Sequence, residues 1–286
     1  MAELFVAATP IGNLMDLTPR LAETLKRCDL IVAEDTRVTM KLLHHLGIKK
    51  PLLSMNRHTE QDKAGTIVER MLREDLSVCL TCDAGTPGIS DPGVPLVAAA
   101  HEAGIRVTPI SGPSAMTTHL SACGFDARTF GFYGFLPREK GALARKIGEI
   151  GRSGLHAAVL YESPRRVVEL VETIGQVLPG CSISVACDLT KRFEKIRTGP
   201  WAQVLEALRA DPNVEKGEYS LVVALPPAPE DPEPVSPEAL ILDAILQGAD
   251  LDSAAREVLL AGAPRNKVYK AKLKIRDFLR LKGEEA

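Results

Sequence analysis

No apolar run in these 286 residues approaches the roughly 20 that a membrane-spanning helix needs. The opening Met1-Ala2-Glu3-Leu4-Phe5-Val6 also lacks the charged start and long apolar core of a signal peptide. A cytoplasmic protein with no membrane partner is therefore expected. Charge of one sign is missing too: 35 basic residues face 37 acidic ones, for a net charge of −2. Any contact with nucleic acid must then come from local patches. The six histidines show no metal-ligand spacing. Cys79-Leu80-Thr81-Cys82 has no second cysteine or histidine pair to complete a zinc site, and strand alternation sends its two thiols to opposite faces. No metal is expected, and the other cysteines (Cys28, Cys123, Cys181, Cys187) read as small, reduced core residues. The G-x-G-x-x-G, Walker and G-x-S-x-G motifs are also absent, so neither dinucleotide or nucleotide binding in those styles nor a serine nucleophile elbow is supported.

What stands out instead is Thr81–Gly93, TCDAGTPGISDPG. An apolar strand, Ser77–Leu80, precedes it, and a helix opening at Val94-Pro95 follows. Ordinary strand-to-helix joins take about 2–6 residues, and longer ordered loops are usually functional. Three glycines and two prolines give this loop tight turns and close backbone approach. Its polar load is Asp83, Thr86, Ser90 and Asp91. At the carboxyl end of a strand, such a loop sits where open parallel sheets bind ligands.

The remainder alternates strand and helix. Leu4–Ala8, Leu30–Ala33, Leu52–Ser54, the central strand and Arg106–Ile110 predict a parallel, doubly wound sheet ending near residue 122. Loops rich in glycine and proline at 9–13, 82–93 and 111–115 should share one rim. A second α/β unit begins near Phe125, with strands at 130–134, 156–161, 183–187 and 219–224. Two of its strand exits are polar, 162–166 and 188–194, and loops facing a cleft between two such units would enclose a ligand. The expected divisions are 1–122, 123–225, a proline-rich acidic spacer at 226–237, and a small helical extension at 238–286. The last helix is basic, with Lys267, Lys270, Lys272, Lys274, Arg276 and Arg280, and reads either as a solvated face or as a phosphate contact.

Several segments together resemble one family. They are Ala8–Leu14 (ATPIGNL), Ala33–Arg37 (AEDTR), Asp83–Gly93, Gly112–Ala115 (GPSA), Gly134–Arg138 (GFLPR), Tyr161–Pro164 (YESP) and Leu189–Lys191 (LTK). The combination is similar to the small-subunit ribosomal RNA methyltransferases, a branch of the tetrapyrrole methylase superfamily. That resemblance implies two α/β domains with a ligand cleft between them, S-adenosyl-L-methionine (SAM) as methyl donor, and a homodimer. The implied reaction is 2′-O-methylation of a cytidine in 16S ribosomal RNA of the small subunit, with no role for DNA. By the same resemblance, SAM would be held by Pro10, Asp83, Ala84, Gly85, Thr86, Pro113, Ser114, Ala115 and Tyr161. A carboxylate such as Asp83 suits a cationic ligand. The alternatives are a methyltransferase of tetrapyrroles or other small molecules, and a non-catalytic RNA-binding factor.

A ribose hydroxyl is scarcely ionised at neutral pH, so the reaction needs positioning and a group that removes or stabilises the proton's charge. The sequence offers Lys191 with Glu194 on a second-domain strand exit, and Glu34 or Asp35 on the first-domain rim. A lysine there would stabilise a developing alkoxide, or act as the base if burial lowers its pKa.

Overall fold

A computed structural model describes residues 2–226 and 236–283, which fall into two compact units, one ending at Pro226 and one following it. Residues 227–235, most of the expected spacer, lie outside the described residues.

The first unit holds two five-stranded sheets. Its chain runs β1 (Glu3–Ala7), α1 (Pro19–Arg27), β2 (Leu30–Ala33), α2 (Thr36–His45), β3 (Leu52–Ser54), α3 (Glu60–Glu74), β4 (Ser77–Thr81), α4 (Val94–Glu102), β5 (Arg106–Ile110) and α5 (Ala115–Ala122). These strands pair in the order β3-β2-β4-β1-β5, all parallel. Both faces are covered, which is why the strands read as continuous apolar runs. Leu4, Val32, Val78 and Leu80 pack under α3 and α4, whereas Phe5, Ile31, Cys79 and Ile110 pack under α1 and α2. Helix starts follow local chemistry. Thr18 Oγ1 accepts from Leu21 N–H ahead of Pro19, and Asp35 caps α2 through Arg37 N–H.

The second sheet is built from β6 (Phe130–Phe135), β7 (Ala157–Glu162), β8 (Ser182–Cys187), β9 (Lys195–Pro200) and β10 (Tyr219–Ala224). Its order is β6-β7-β10-β8-β9, and β10 runs antiparallel to both neighbours. Strand β9 is a correction to the sequence reading, which passed from the strand at 183–187 directly to the one at 219–224. Residues 188–194 are thus a hairpin loop between β8 and β9 rather than a strand-to-helix exit. The helices α6 (Lys140–Gly151), α7 (Val167–Val177) and α8 (Trp201–Arg209) cover one face, with Ile147, Ile174, Val185, Leu208 and Leu221 among the core. The other face is covered by α5, through Met116 and Leu120.

One helix therefore joins the two sheets, and His119 fixes it. The ring is fully buried, with Nδ1 3.0 Å from Ser220 Oγ on β10 and Nε2 2.9 Å from Ser184 Oγ on β8. Burial pushes its pKa down to about 4, so the ring is neutral at physiological pH and satisfies both hydroxyls without a buried charge.

The second unit comprises α9 (Pro237–Leu246), α10 (Leu251–Leu260) and α11 (Arg265–Gly283) around Ile241, Ala254, Val258, Val268, Ala271 and Ile275. Of the basic residues on α11, Lys272 pairs with Asp252 and Lys274 with Glu238 at 3.1 Å. The side chain of Arg280 lies outside the described residues. No helix among the described residues is long and apolar enough to cross a membrane.

Candidate active site

Because β4, β1 and β5 are neighbours, the loops leaving their carboxyl ends are neighbours too. Thr9 and Gly85 exchange backbone hydrogen bonds of 2.8 and 3.0 Å. Thr9 Oγ1 donates to the Cys82 carbonyl at 3.2 Å, and Thr86 Oγ1 to the Pro113 carbonyl at 3.4 Å. Gly85 takes φ +86°, a left-handed backbone that side chains other than glycine resist. The three loops thus form one rigid wall. Facing it are the end of β7, the β8–β9 hairpin loop and the approach to β10. Between them lies a cavity of about 380 Å³, within the ~300–1,000 Å³ range of small-molecule sites.

Six of the expected cofactor residues line this cavity: Ala84, Gly85, Thr86, Ser114, Ala115 and Tyr161. Tyr161 is held edge-on against Phe132 and Phe135, with ring centroids 5.0 and 6.1 Å away. Pro113 stands behind, offering its carbonyl to Thr86. Pro10 and Asp83 line a separate cavity of about 210 Å³ with Gly12, Leu14, Val38 and Lys41. Ile11 and Ala84 face the larger cavity, whereas Pro10 and Asp83 face the smaller. The Asp83 carboxylate accepts from Asp35 N–H at 3.0 Å and so ties the ends of β2 and β4 together. Burial raises its pKa above the ordinary value, with that N–H opposing and the Asp35 charge adding to the rise.

The four candidate catalytic residues form two separate pairs, neither lining the larger cavity. Glu34 lies behind the wall, its Oε2 3.4 Å from Asp83 N, with its pKa raised by burial. Asp35 is fully engaged as the α2 cap, and Arg37, whose Nη2 is 2.5 Å from Oδ2, holds its pKa down to about 2. On the hairpin loop, Glu194 Oε2 accepts from Thr190 N–H at 2.5 Å. Asp188 and Thr190 both have positive φ (52° and 66°), so this turn is strained and held by such contacts.

Lys191 connects the two sides. Its stem lies across Gly12, where an added Cβ would fall 2.5 Å from Lys191 Cγ, so only glycine leaves room at this φ of +144°. Its Nζ reaches Asp188 Oδ1 at 3.0 Å and Glu218 Oε2 at 2.8 Å. Burial works against the charge, yet the bonds to Glu218 and Asp188 outweigh it, and the pKa is raised. This lysine is a fixed cation, unsuited to act as a base.

Three carboxylates line the cavity that the candidate set did not include: Asp91, Glu162 and Glu218. Glu162 braces the turn after β7, accepting from Ser163 N–H at 2.7 Å, with Arg166 3.4 Å away. Glu218 is spoken for by Lys191. Asp91 is half-buried, and burial, followed by the Glu34 charge, pushes its pKa up to about 6. Asp91 and Glu162 stand in loops the sequence marked as polar, the GISDPG turn and the exit at 162–166, whereas Glu218 carried no such signal.

Comparisons with known proteins identify the family. The sequence signature of the Tetrapyrrole (Corrin/Porphyrin) Methylases matches residues 3–205. The chain is 40% identical over 269 residues to "Ribosomal RNA small subunit methyltransferase I" of Haemophilus influenzae, covering 93% of this chain and 94% of that protein. The protein of the same name from Pseudomonas aeruginosa is 38% identical, covering 94% and 96%. Among solved structures, the methyltransferase CobJ aligns with a TM-score of 0.58 at 19% identity, covering 79% of this chain and 95% of that one. Diphthine synthase aligns with a TM-score of 0.58 at 15% identity, covering 78% and 89%. At those identities the structural likeness speaks for the fold alone.

Proposed function

The chain belongs to the ribosomal RNA small subunit methyltransferase I family within the tetrapyrrole methylases and is a SAM-dependent methyltransferase; on that footing we propose that it methylates the 2′-hydroxyl of a cytidine in small-subunit ribosomal RNA. The observation that carries this reading is the cavity between the two sheets, walled by exposed backbone and short side chains. Its lining fits SAM. Ile11, Ala84, Ala115 and Leu189 offer apolar contact, Ser114 and Thr86 offer hydroxyls, and Glu218 offers negative charge to a cationic ligand. Bound there, SAM supplies an electrophilic methyl group on a sulfonium that departs neutral, so no acid is needed for the leaving group.

The protein's task is the acceptor oxygen. Lys191, held charged between two carboxylates and laid against the first-domain loop, would stabilise negative charge on a ribose oxygen brought to the cleft mouth. Replacing it with methionine should lower kcat by ~10²-fold, the scale expected when one electrostatic stabiliser is lost. SAM affinity and thermal stability should stay near the parent's. Turnover within a few-fold of the parent would leave Lys191 as a packing and pairing residue alone.

The acceptor RNA would also be gripped by the second unit. On α11, Lys267 and Lys270 are exposed, and Tyr269 and Phe278 are 64% and 55% exposed among them. That mixture suits phosphates and unpaired bases. We further propose a homodimer acting in the cytoplasm. The test is transfer of radiolabelled methyl groups from SAM to small ribosomal subunits that lack the modification. Label on one cytidine ribose, with transfer falling as salt rises, is the expected result. Label on a base, or none, would overturn the acceptor assignment.

A further inference from the structure

The loop that carries Asp91 is held at more points than a connection requires. Ser90, a non-glycine residue, has φ +66°, and its carbonyl accepts from Arg57 Nη2 at 2.7 Å. Two residues beyond Asp91, Gly93 N–H donates to Glu60 Oε2 at 2.7 Å. On the other side the loop touches the second sheet, where a Cβ at Gly134 would meet Ser90 Oγ at 3.0 Å. Gly134 stands at the irregularity in the pairing of β6 with β7. Strain held in place by surrounding contacts is characteristic of functional turns. Here it presents one carboxylate to the cavity.

That carboxylate differs from the other acids nearby. Asp35 and Asp83 are bound to backbone N–H groups, Glu162 to Ser163, and Glu218 to Lys191. Glu34 faces Asp83 and does not line the cavity. Asp91 lines the cavity, and among the described residues its oxygens accept from no N–H group, the Cys82 thiol being its near partner. We propose that Asp91 is the general base of the methyl transfer, taking the proton of the ribose 2′-hydroxyl as that oxygen attacks. The inference rests on the acceptor assigned under Proposed function. One O–C bond forms to the methyl carbon while its C–S bond breaks. The sulfur keeps the bonding electron pair and leaves as a neutral thioether, and the proton passes to an Asp91 oxygen and then to solvent. Lys191 remains protonated throughout.

The pH dependence follows from the groups that face Asp91. Glu34 at the end of β2 and Asp83 at the end of β4 disfavour its charge, as does burial. Arg57 after β3 and the Cys82 thiol favour it, and Tyr161 on β7 stays neutral, burial raising its own pKa. With the pKa near 6, Asp91 is an ionised base at neutral pH. A base must be deprotonated to act, so activity should rise with pH up to about 6 and level off above it.

The experiment compares the parent with Asp91→Asn and Asp91→Glu in the full-length protein. It measures label transfer to small subunits across pH 5–9, SAM affinity by calorimetry, and carboxyl titration by infrared difference spectroscopy without SAM. General bases contribute ~10²–10⁴-fold, so Asp91→Asn should lose at least 100-fold in kcat and its acidic limb together. SAM affinity should stay within threefold, and a carboxyl band titrating near pH 6 in the parent should vanish. Asp91→Glu should recover part of kcat. Retained turnover or a retained acidic limb in Asp91→Asn would overturn the proposal. A large loss of SAM affinity would do so too, making Asp91 a contact to the methyl donor instead. If the parent itself leaves the ribose unlabelled, the acceptor assignment fails first, and the proposal with it.

Discussion

Replacing Ala115 with phenylalanine should abolish SAM binding while leaving the fold intact. Ala115 is the first residue of α5, half-buried, and lines the 380 Å³ cavity beside Ser114. A ring built on that Cβ would occupy space the ligand needs, and neither the β1 and β4 loops nor the second sheet can retreat far. Phenylalanine is tolerated at the first turn of a helix, where no preceding turn crowds it. The expected loss is at least ~100-fold in affinity, about 2.7 kcal/mol. In thermal unfolding the parent should be stabilised by ~2.7 kcal/mol when SAM is present at 100 times its dissociation constant, and the variant should not respond. Ala115→Ser, which adds one small atom, is the control and should bind within a few-fold of the parent. Affinity within threefold of the parent for Ala115→Phe would place the methyl donor somewhere other than this cavity.

The largest stability effect should come from Gly175, in the last turn of α7. A glycine inside a helix normally costs about 1 kcal/mol relative to alanine, so Gly175→Ala ought to stabilise. The reverse is expected. The indole of Trp201, the first residue of α8, lies directly over the Gly175 backbone, and an added Cβ would fall 2.0 Å from Trp201 Cδ2. The ring is fixed by its Nε1–H, which donates to the Pro179 carbonyl at 3.0 Å, and it packs against the core beneath α7 and α8. Alanine would force the indole out, losing that hydrogen bond and most of its buried area. A destabilisation of ~3 kcal/mol or more is expected, in the upper range for core substitutions. Chemical denaturation of four proteins decides it: parent, Gly175→Ala, Trp201→Leu and the double variant. With Trp201→Leu already present, the alanine should be neutral or mildly stabilising. Equal costs in both backgrounds would show that the indole is not the cause.

How far these features were readable from sequence depends on whether their partners are local. The glycine- and proline-dense loops announced the ligand wall because unusual backbone needs unusual residues, and those stand together in the chain. The parallel order of the first sheet followed from strand–helix alternation. Strand β9 did not, because Lys195-Ile196-Arg197-Thr198-Gly199-Pro200 lies at a sheet edge with little of it buried and so shows no apolar alternation. Asp83 looked like a free ligand carboxylate, but its partner is a backbone N–H 48 residues away. Lys191 likewise pairs with Glu218 across 27 residues, and His119 meets its two serines across 65 and 101. Such contacts are created by the fold and leave no local pattern. Asp91 sits between these cases: its turn was visible, but which of the loop's acids faced the cavity was not.

The insertion of β10 into the centre of the second sheet has a consequence for synthesis. All five strands of the first sheet are available once residue 110 has been made, whereas the second sheet lacks its middle until Tyr219–Ala224 emerges. Until then β7 and β8 have no strand between them, and α5 has only part of the surface it will cover. Ser220, one of the two hydroxyls that satisfy His119, arrives 101 residues after the histidine. Gly217 and Glu218, part of the cavity lining, arrive with it. A nascent chain can thus hold a finished parallel sheet with α5 incompletely covered for the time needed to add about a hundred residues, some 5–20 s at elongation rates of about 5–20 residues per second. During that interval a ligand of this cavity cannot stabilise the chain, because part of the lining is missing, so the half-made protein relies on the first sheet's own stability.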